Sequence, residues 1–531
     1  MQRARLAGVL AAAAALAVTE LAALAAPTRP SLLIAVETWF VDTFGGSLKD
    51  FAVRLFGTAD KLALAVGALA VTLLLGALAG RMEARRRHSG VAVIGAFGVL
   101  GVAATARHPQ GSAPVAIIAA AVGIAVGSAV LLVLLDRFDI RVMPVAERLF
   151  VDRRPSRRGD GRGAPFRASR VDAVRGTRRD VLLWGTGTAA AATIGALVAR
   201  GLGESLRRAR SVIPNALPTP ASTASVPEAQ PFSAEGLSPY ITPNSDFYRI
   251  DTALQTPYVI TDDWTLKVTG MVERELELSY DDLLGRELVE EIITLSCVSN
   301  EVGGDLVGNA RWTGIGLRQL LQEAGVDPRA TQLVGESVDG FTAGFPMAVL
   351  DDPDRPALLA VGMNGEPLPR AHGFPARLVI AGIYGYVSAT KWLSEIRLTT
   401  LEDEDGYWIP RGWAKEAPIK TQSRIDVPLR GARIVAGAVA VAGVAWAPNR
   451  GIEGVEVRID AGRWRDAELG RVSSDDTWVQ WHMSWDASPG DHVIEVRATD
   501  GDGRTQGSER VDPIPDGAEG WHSRDVNVAE V

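Results

Sequence analysis

Glu291-Ile292-Ile293-Thr294-Leu295-Ser296-Cys297-Val298-Ser299-Asn300-Glu301 carries a strand-like run into the single cysteine of a 531-residue chain. A lone cysteine cannot close an internal disulfide, which leaves Cys297 as core filler, a reactive thiol, or a thiolate ligand to a metal or cofactor. Free cysteine is among the most buried residue types, so filler is the default reading. The segments on either side must decide.

The chain is long enough for three or four domains of about 150 residues each. Its apolar residues, 47% overall, are unevenly spread. The first 200 residues are rich in Ala, Leu, Val and Gly and poor in Asp and Glu; from about Phe232 onward the chain reads as an acidic globular protein. A net charge of -8 argues against nucleic acid as a partner, because phosphate binding wants a basic face.

Apolar runs at Leu6 to Ala26, Leu62 to Ala79, Val91 to Ala106 and Val115 to Leu135 predict helices that cross a lipid bilayer. Trp39, Phe40, Phe44, Phe51 and Phe56 predict a helix at the membrane interface between the first two. Arg81, Arg85, Arg86 and Arg87, and a second set that includes Arg153, Arg154, Arg157, Arg158, Arg178 and Arg179, mark cytoplasmic loops. Thr177-Arg178-Arg179-Asp180-Val181-Leu182-Leu183, followed by the apolar run Trp184 to Val198, resembles a twin-arginine export signal; the alternative is a fifth span. Both send the rest of the chain to the extracytoplasmic side of the cell membrane. His88 and His108 fall in flanks of the spans and no Cys-x-x-Cys-His occurs, so no haem is expected within this chain.

The domain organisation expected is a membrane region over 1–200, a Pro/Ala/Ser linker over 201–231, a mixed α+β domain over 232–420, a C-terminal β-sandwich over 421–512 and an extended or disordered tail over 513–531. Pro214, Pro218, Pro220 and Pro227 bar the linker from helix and from a central strand. The sandwich follows from short alternating runs, such as Val455 to Asp460 and His492 to Ala498, separated by glycine turns.

Three groups of motifs in the α+β domain then line up. Asn244-Ser245-Asp246-Phe247-Tyr248-Arg249 precedes Cys297 and Asn300; Ala310-Arg311-Trp312-Thr313-Gly314 follows; and Met363-Asn364-Gly365-Glu366-Pro367 leads to His372-Gly373-Phe374-Pro375-Ala376-Arg377 and to Gly385 through Lys391-Trp392. In this order they resemble the sulfite oxidase superfamily of molybdopterin enzymes, over roughly Pro243 to Gln506. Gly443-Val444-Ala445-Trp446 and Arg497-Ala498-Thr499-Asp500-Gly501 resemble that family's immunoglobulin-like C-terminal domain, which implies a possible homodimer.

The resemblance implies a molybdenum–molybdopterin cofactor, Cys297 as metal ligand and catalytic residue, and Arg249 and Tyr407 as further catalytic residues. Asn244, Phe247, Tyr248, His372, Arg377, Ser388 and Lys391 are implied to bind the cofactor, with Arg377 and Lys391 on its phosphate. A soft thiolate suits such a metal centre, and planar and point cations suit a phosphate. Read singly, His372 fits a turn residue, Arg377 and Lys391 surface charges, and Phe247 and Tyr248 core aromatics.

Two departures bear on the substrate. Glu301 and Val302 stand where sulfite oxidases carry a pair of arginines, and Arg249-Ile250-Asp251 replaces Arg-Asn-His. Sulfite is therefore disfavoured. The expectation is a membrane-anchored, extracytoplasmic oxygen-atom-transfer oxidoreductase with an unidentified electron-transfer partner. The competing reading is a non-catalytic exported scaffold that has lost the cofactor.

Overall fold

The computed structural model describes residues 1–43, 60–138, 140, 178–228 and 230–530. The chain divides into two units, Met1–Arg210 and Ser211–Val531.

In the first unit the apolar runs form α1 (Gln2–Ala23), α2 (Asp60–Arg85), α3 (Ser89–Arg107), α4 (Ala113–Arg137) and α5 (Arg178–Arg210). All five are long and apolar enough to cross a membrane. Small residues set the packing of α1 on α2. A Cβ at Gly8 would lie 2.0 Å from the Gly76 carbonyl oxygen, and one at Gly80 would lie 2.0 Å from that of Ala4, so only glycine admits this approach. Glu83 is fully buried because its carboxylate accepts the backbone N–H groups of His88 and Gly90, both at 2.8 Å, where α3 begins. Phe44, Phe51 and Phe56 of the expected interfacial helix lie outside the described residues, as do Arg153, Arg154, Arg157, Arg158 and Thr177.

The second unit begins inside the expected linker. Residues 201–210 complete α5, and Ser211 onward runs as a strap along the following domain. The Ser211 hydroxyl donates to the Val259 carbonyl at 2.5 Å, the Ala221 N–H to Leu288 at 2.7 Å, and Ser222 forms a parallel bridge with Val289. The prolines do exclude helix, as their missing N–H requires, but an extended strand-edge path remains open to them.

Behind the strap, β1 (Thr265–Gly270) pairs with β2 (Leu276–Ser279) and, in parallel, with β10 (Leu393–Thr399). β10 then pairs with β5 (Gln332–Ser337), and β5 with β6 (Thr342–Pro346). A second sheet joins β3 (Val289–Ser296) to β4 (Val307–Gly316) and β4 to β7 (Ala357–Met363), and β7 pairs with β8 (Glu366–Pro367) and β9 (Arg377–Ile380). Short helices α6 (Tyr280–Leu284) and α7 (Leu317–Ala324) cover the sheets. α6 starts on a reciprocal cap between Ser279 and Asp282, and Leu317, Leu320, Leu321 and Ala324 make the buried stripe of α7. The domain is richer in strand than an even α+β mixture.

C-terminal to this, two sheets close over one core. The first runs β11 (Gln422–Val427), β13 (Gly437–Trp446), β17 (Val479–Ala487) and β16 (Glu468–Leu469). The second runs β12 (Ile434–Val435), β19 (His522–Ala529), β18 (Gly490–Asp500), β14 (Ile452–Ile459) and β15 (Arg465–Asp466). Val441, Trp481, Val457 and Val496 meet in the shared core, each fully buried. The tail expected at 513–531 is not loose: β19 pairs antiparallel with β18 from Val496↔His522 to Gly490↔Val528. Its signal is a single alternation, Val526 and Val528 inward among polar neighbours, and an edge partner is what turns so short a pattern into a strand.

Candidate active site

Cys297 stands one residue past β3. Its N–H donates to Leu306 at 2.9 Å, and the Asn300 N–H donates to the Cys297 carbonyl at 3.0 Å. The Asn300 side-chain oxygen accepts from Leu306 N–H at 2.9 Å, closing the loop between β3 and β4. Cys297 is 7% exposed, its thiol lies 2.9 Å from the Ser299 hydroxyl, and it lines a cleft.

Phe247, Tyr248, His372, Arg377 and Lys391 line the same cleft. Phe247 stacks on Tyr248 with ring centres 5.2 Å apart and meets Trp312 and His372 edge-on, both at 5.7 Å. That position depends on Gly308 of β4, where a Cβ would lie 2.7 Å from the Phe247 ring. Gly373 separates His372 from the strand that carries Arg377; its φ of +113° and its closeness to the Cβ atoms of Lys391 and Arg377 both call for glycine.

The charges here are buried with few partners. His372 Nε2 lies 2.9 Å from the Asn244 carbonyl, which can only accept, so Nε2 carries the hydrogen. Burial pushes its pKa down to about 4; the Asn244 bond opposes this, and the charges of Arg377, Lys391 and Arg249 add to it. The ring is neutral at pH 7, with Nδ1 as an acceptor. Arg377 is 5% exposed, donates to the His372 carbonyl at 3.1 Å and lies 4.9 Å over the Trp312 ring. Burial lowers it to about 10, against the pull of Tyr248. Burial lowers Lys391 to about 8, although its Nζ is 3.0 Å from Asp251 Oδ2. The Tyr248 hydroxyl is raised by burial first and by Cys297 second, and stays protonated.

Four expected residues are elsewhere. Arg249 is not in the cleft wall: its Nε is 2.8 Å from Asp251 Oδ2 and it donates to the Thr256 hydroxyl at 2.7 Å. Ser388 is fully buried and bonds back to the Tyr384 carbonyl at 3.1 Å, inside the short helix α8 (Gly385–Ser388). The Asn244 side chain is engaged with Asn364 at 2.8 Å, and only its carbonyl serves the site, through His372. Tyr407 packs on Phe341 and under Arg411, while its neighbour Trp408 reaches the cleft. Glu301, which was read as disfavouring sulfite, is exposed and outside the lining, so its carboxylate adds no charge to the cleft wall. Sequence reasoning missed Asp251, Asp339, Phe341, Tyr386 and Trp408. The turn signal Val338-Asp339-Gly340 was the one available pointer to the second and third.

The residues suit a phosphate-bearing pterin with a thiolate-bound metal. One thiol, the buried Arg377, the partly buried Lys391 and a neutral histidine acceptor converge on one cleft, which Gly385 also lines.

Residues 253–408 match the oxidoreductase molybdopterin binding domain family. The chain is 32% identical over 289 residues to mitochondrial sulfite oxidase of Rattus norvegicus, covering 45% of this chain and 52% of that one. It is 29% identical over 350 residues to the Homo sapiens counterpart, covering 56% and 62%. The chain thus spans between half and two thirds of the length of these relatives. The sulfane dehydrogenase SoxCD of Paracoccus pantotrophus aligns at 22% identity and a TM-score of 0.49, over 58% of this chain and 90% of that one. With the motif order, the molybdopterin-domain match and the sulfite oxidase relatives together, the chain carries a molybdopterin-binding oxidoreductase domain of the sulfite oxidase type.

Proposed function

We propose that this chain is a membrane-anchored oxidoreductase that transfers an oxygen atom at a molybdenum–molybdopterin centre bound through Cys297, with its catalytic domain on the extracytoplasmic side. The observation that carries it is Cys297 sharing one cleft with buried Arg377 and with Lys391, whose side chain is 11% exposed. When bound, the metal centre supplies two-electron oxygen-atom chemistry.

The chain's own residues do the holding. The Cys297 thiolate is the protein ligand. Arg377 offers a planar fork and Lys391 a point charge to the phosphate. His372, kept neutral, accepts at Nδ1 from a pterin N–H, and Phe247 with Tyr248 closes one wall against water. Tyr248 keeps its proton, so it donates a hydrogen bond without adding negative charge beside the thiolate. Five spans, with Arg85, Arg86 and Arg87 at a cytoplasmic end, support the outward placement of Ser211 onward. An electron carrier in or at the membrane then completes turnover, and the two-sheet domain, read as immunoglobulin-like, is the surface available for a homodimer.

Metal analysis tests the site. Stoichiometric molybdenum with visible thiolate-to-metal absorption is expected in the wild type, both lost in Cys297→Ser; a wild type free of metal and pterin overturns the reading. Protease protection of a tag inserted after Gln230 in intact spheroplasts would refute the sidedness.

A further inference from the structure

The Cys297 sulfur has a hydroxyl beside it. Residues Cys297, Val298, Ser299 and Asn300 make a tight turn at the end of β3, closed by the Asn300 N–H donating to the Cys297 carbonyl at 3.0 Å. Within it, Ser299 Oγ lies 2.9 Å from Cys297 Sγ. The turn holds that approach from both sides. Val298, 3% exposed, is packed into the domain core, the Cys297 N–H donates to the Leu306 carbonyl at 2.9 Å, and Asn300 Oδ1 accepts the Leu306 N–H at 2.9 Å.

A serine in a turn usually serves the turn, bonding its hydroxyl to a nearby backbone group. Here the Asn300 N–H already closes the backbone, and the Ser299 hydroxyl makes no hydrogen bond other than the one to sulfur among the described residues. The direction of that bond follows from the sulfur's state. A metal-bound cysteine is a thiolate without a hydrogen, so it can only accept, and the serine hydroxyl donates. Such a bond draws electron density from the sulfur, which then gives less of it to the metal. The reduced metal needs that donation least, so the reduction potential rises; the sulfur lone pairs also fall in energy, so sulfur-to-metal absorption moves to shorter wavelength.

We propose that Ser299 is a positioning residue of the metal centre: it donates a hydrogen bond to the Cys297 thiolate and sets the reduction potential above that of the same centre without it. The centre is thereby made a better oxidant. The proposal rests on Cys297 being the metal ligand, as above.

The test uses the full-length protein in detergent, its molybdenum and pterin content measured first. Ser299→Ala and Ser299→Val remove the donor, and Ser299→Thr keeps it; Val and Thr are both β-branched and alike in shape, so the difference between them reads the hydroxyl alone. In loaded protein the Ala and Val variants are expected to absorb at longer wavelength in the thiolate-to-metal band. They should also show a lower midpoint potential in a redox titration followed by the molybdenum(V) EPR signal. The Thr variant should stay close to wild type in both, with metal content equal throughout. Resonance Raman spectra of the wild type in H2O and D2O need no variant: the metal–sulfur stretch should shift when the hydroxyl proton is exchanged. Unmoved absorption and potential in loaded Ser299→Ala, a Thr variant that moves as far as the Val variant, or a metal–sulfur stretch indifferent to D2O overturns the proposal. Wild type free of molybdenum and pterin overturns the cofactor reading, and the proposal falls with it.

Discussion

Lys391 Nζ and Asp251 Oδ2 stand 3.0 Å apart, and Arg249 Nε reaches the same oxygen at 2.8 Å. One carboxylate oxygen therefore holds both the cation expected on the cofactor phosphate and the arginine expected at the metal. The Asp251 side chain is 4% exposed and that of Lys391 11%, so neither charge can fall back on water. Removing Asp251 leaves a buried ammonium with no counter-ion, a loss of about 3 kcal/mol when one partner of a buried pair is deleted. Asp251→Asn should lower the melting temperature of cofactor-free protein more than that of loaded protein, where phosphate takes over Lys391. Melting curves of both forms, with and without the substitution, check this; an equal loss in the two would mean that Lys391 does not reach the phosphate.

Acid should weaken the fold through two histidines. Burial holds both His372 and His522 at about 4, below the ordinary value of 6.5. As pH falls from 6.5 to 4 the unfolded chain takes up protons that these folded rings refuse, so stability is full above 6.5 and drains across that window. Each shift corresponds to about 3 kcal/mol. His522 Nδ1 accepts the Ile425 N–H at 2.9 Å, a bond that glutamine can copy without titrating. His522→Gln should therefore flatten the loss of stability between pH 6.5 and 4 by about half. Denaturant titrations of cofactor-free protein at pH 7, 5.5 and 4.5 read the slope, and an unchanged slope removes His522 from the account.

Gly308 is where the cofactor wall is most exposed to a minimal change. A Cβ there would lie 2.7 Å from a Phe247 ring atom, with strand β4 on one side and the packed edges of Trp312 and His372 on the other. Overpacking of this kind costs about 1–3 kcal/mol. Gly308→Ala should lower stability by that amount and also reduce molybdenum occupancy, because the displaced ring is the one the cofactor is to face. Metal content per folded protein separates the two effects.

Much of the site was legible because its residues stand within a few positions of one another in ordered motifs. Cys297, Phe247, Tyr248, His372, Arg377 and Lys391 all reach the cleft where a strand end or a glycine turn delivers them. The side chains of Arg249, Ser388 and Asn244 are engaged away from the cleft lining for a local reason: each lies beside a partner that competes for it, Asp251, the Tyr384 carbonyl and Asn364 respectively. No spacing rule states which partner wins. Asp339 and Trp408 were largely illegible as cleft residues because they reach the lining through the pairing of β5, β6 and β10, a register that depends on contacts far apart in sequence. The long apolar helices were easy, since about 20 apolar residues are a signal in themselves.

The C-terminal strand fails that test of length yet completes the second sheet, and this makes it the place to ask how far the two-sheet domain depends on its last residues. β19 lies between β18 and β12, so its removal strips one face of β18 of its hydrogen bonds and leaves β12 unpaired. Val526 and Val528, 8% and 3% exposed, also lie in the core that Trp481 and Val496 share. Deleting residues 521–531 uncovers both that core and a strand edge, a combination that drives edge-to-edge association. The truncated protein should aggregate on expression. Val526→Asp keeps the strand's backbone bonds but buries a charge, and should cost about 3 kcal/mol while Val526→Thr costs about 1. If the truncated chain instead purifies as a monodisperse species with the melting temperature of the wild type, β19 is an ornament on the sheet and the domain ends at β18.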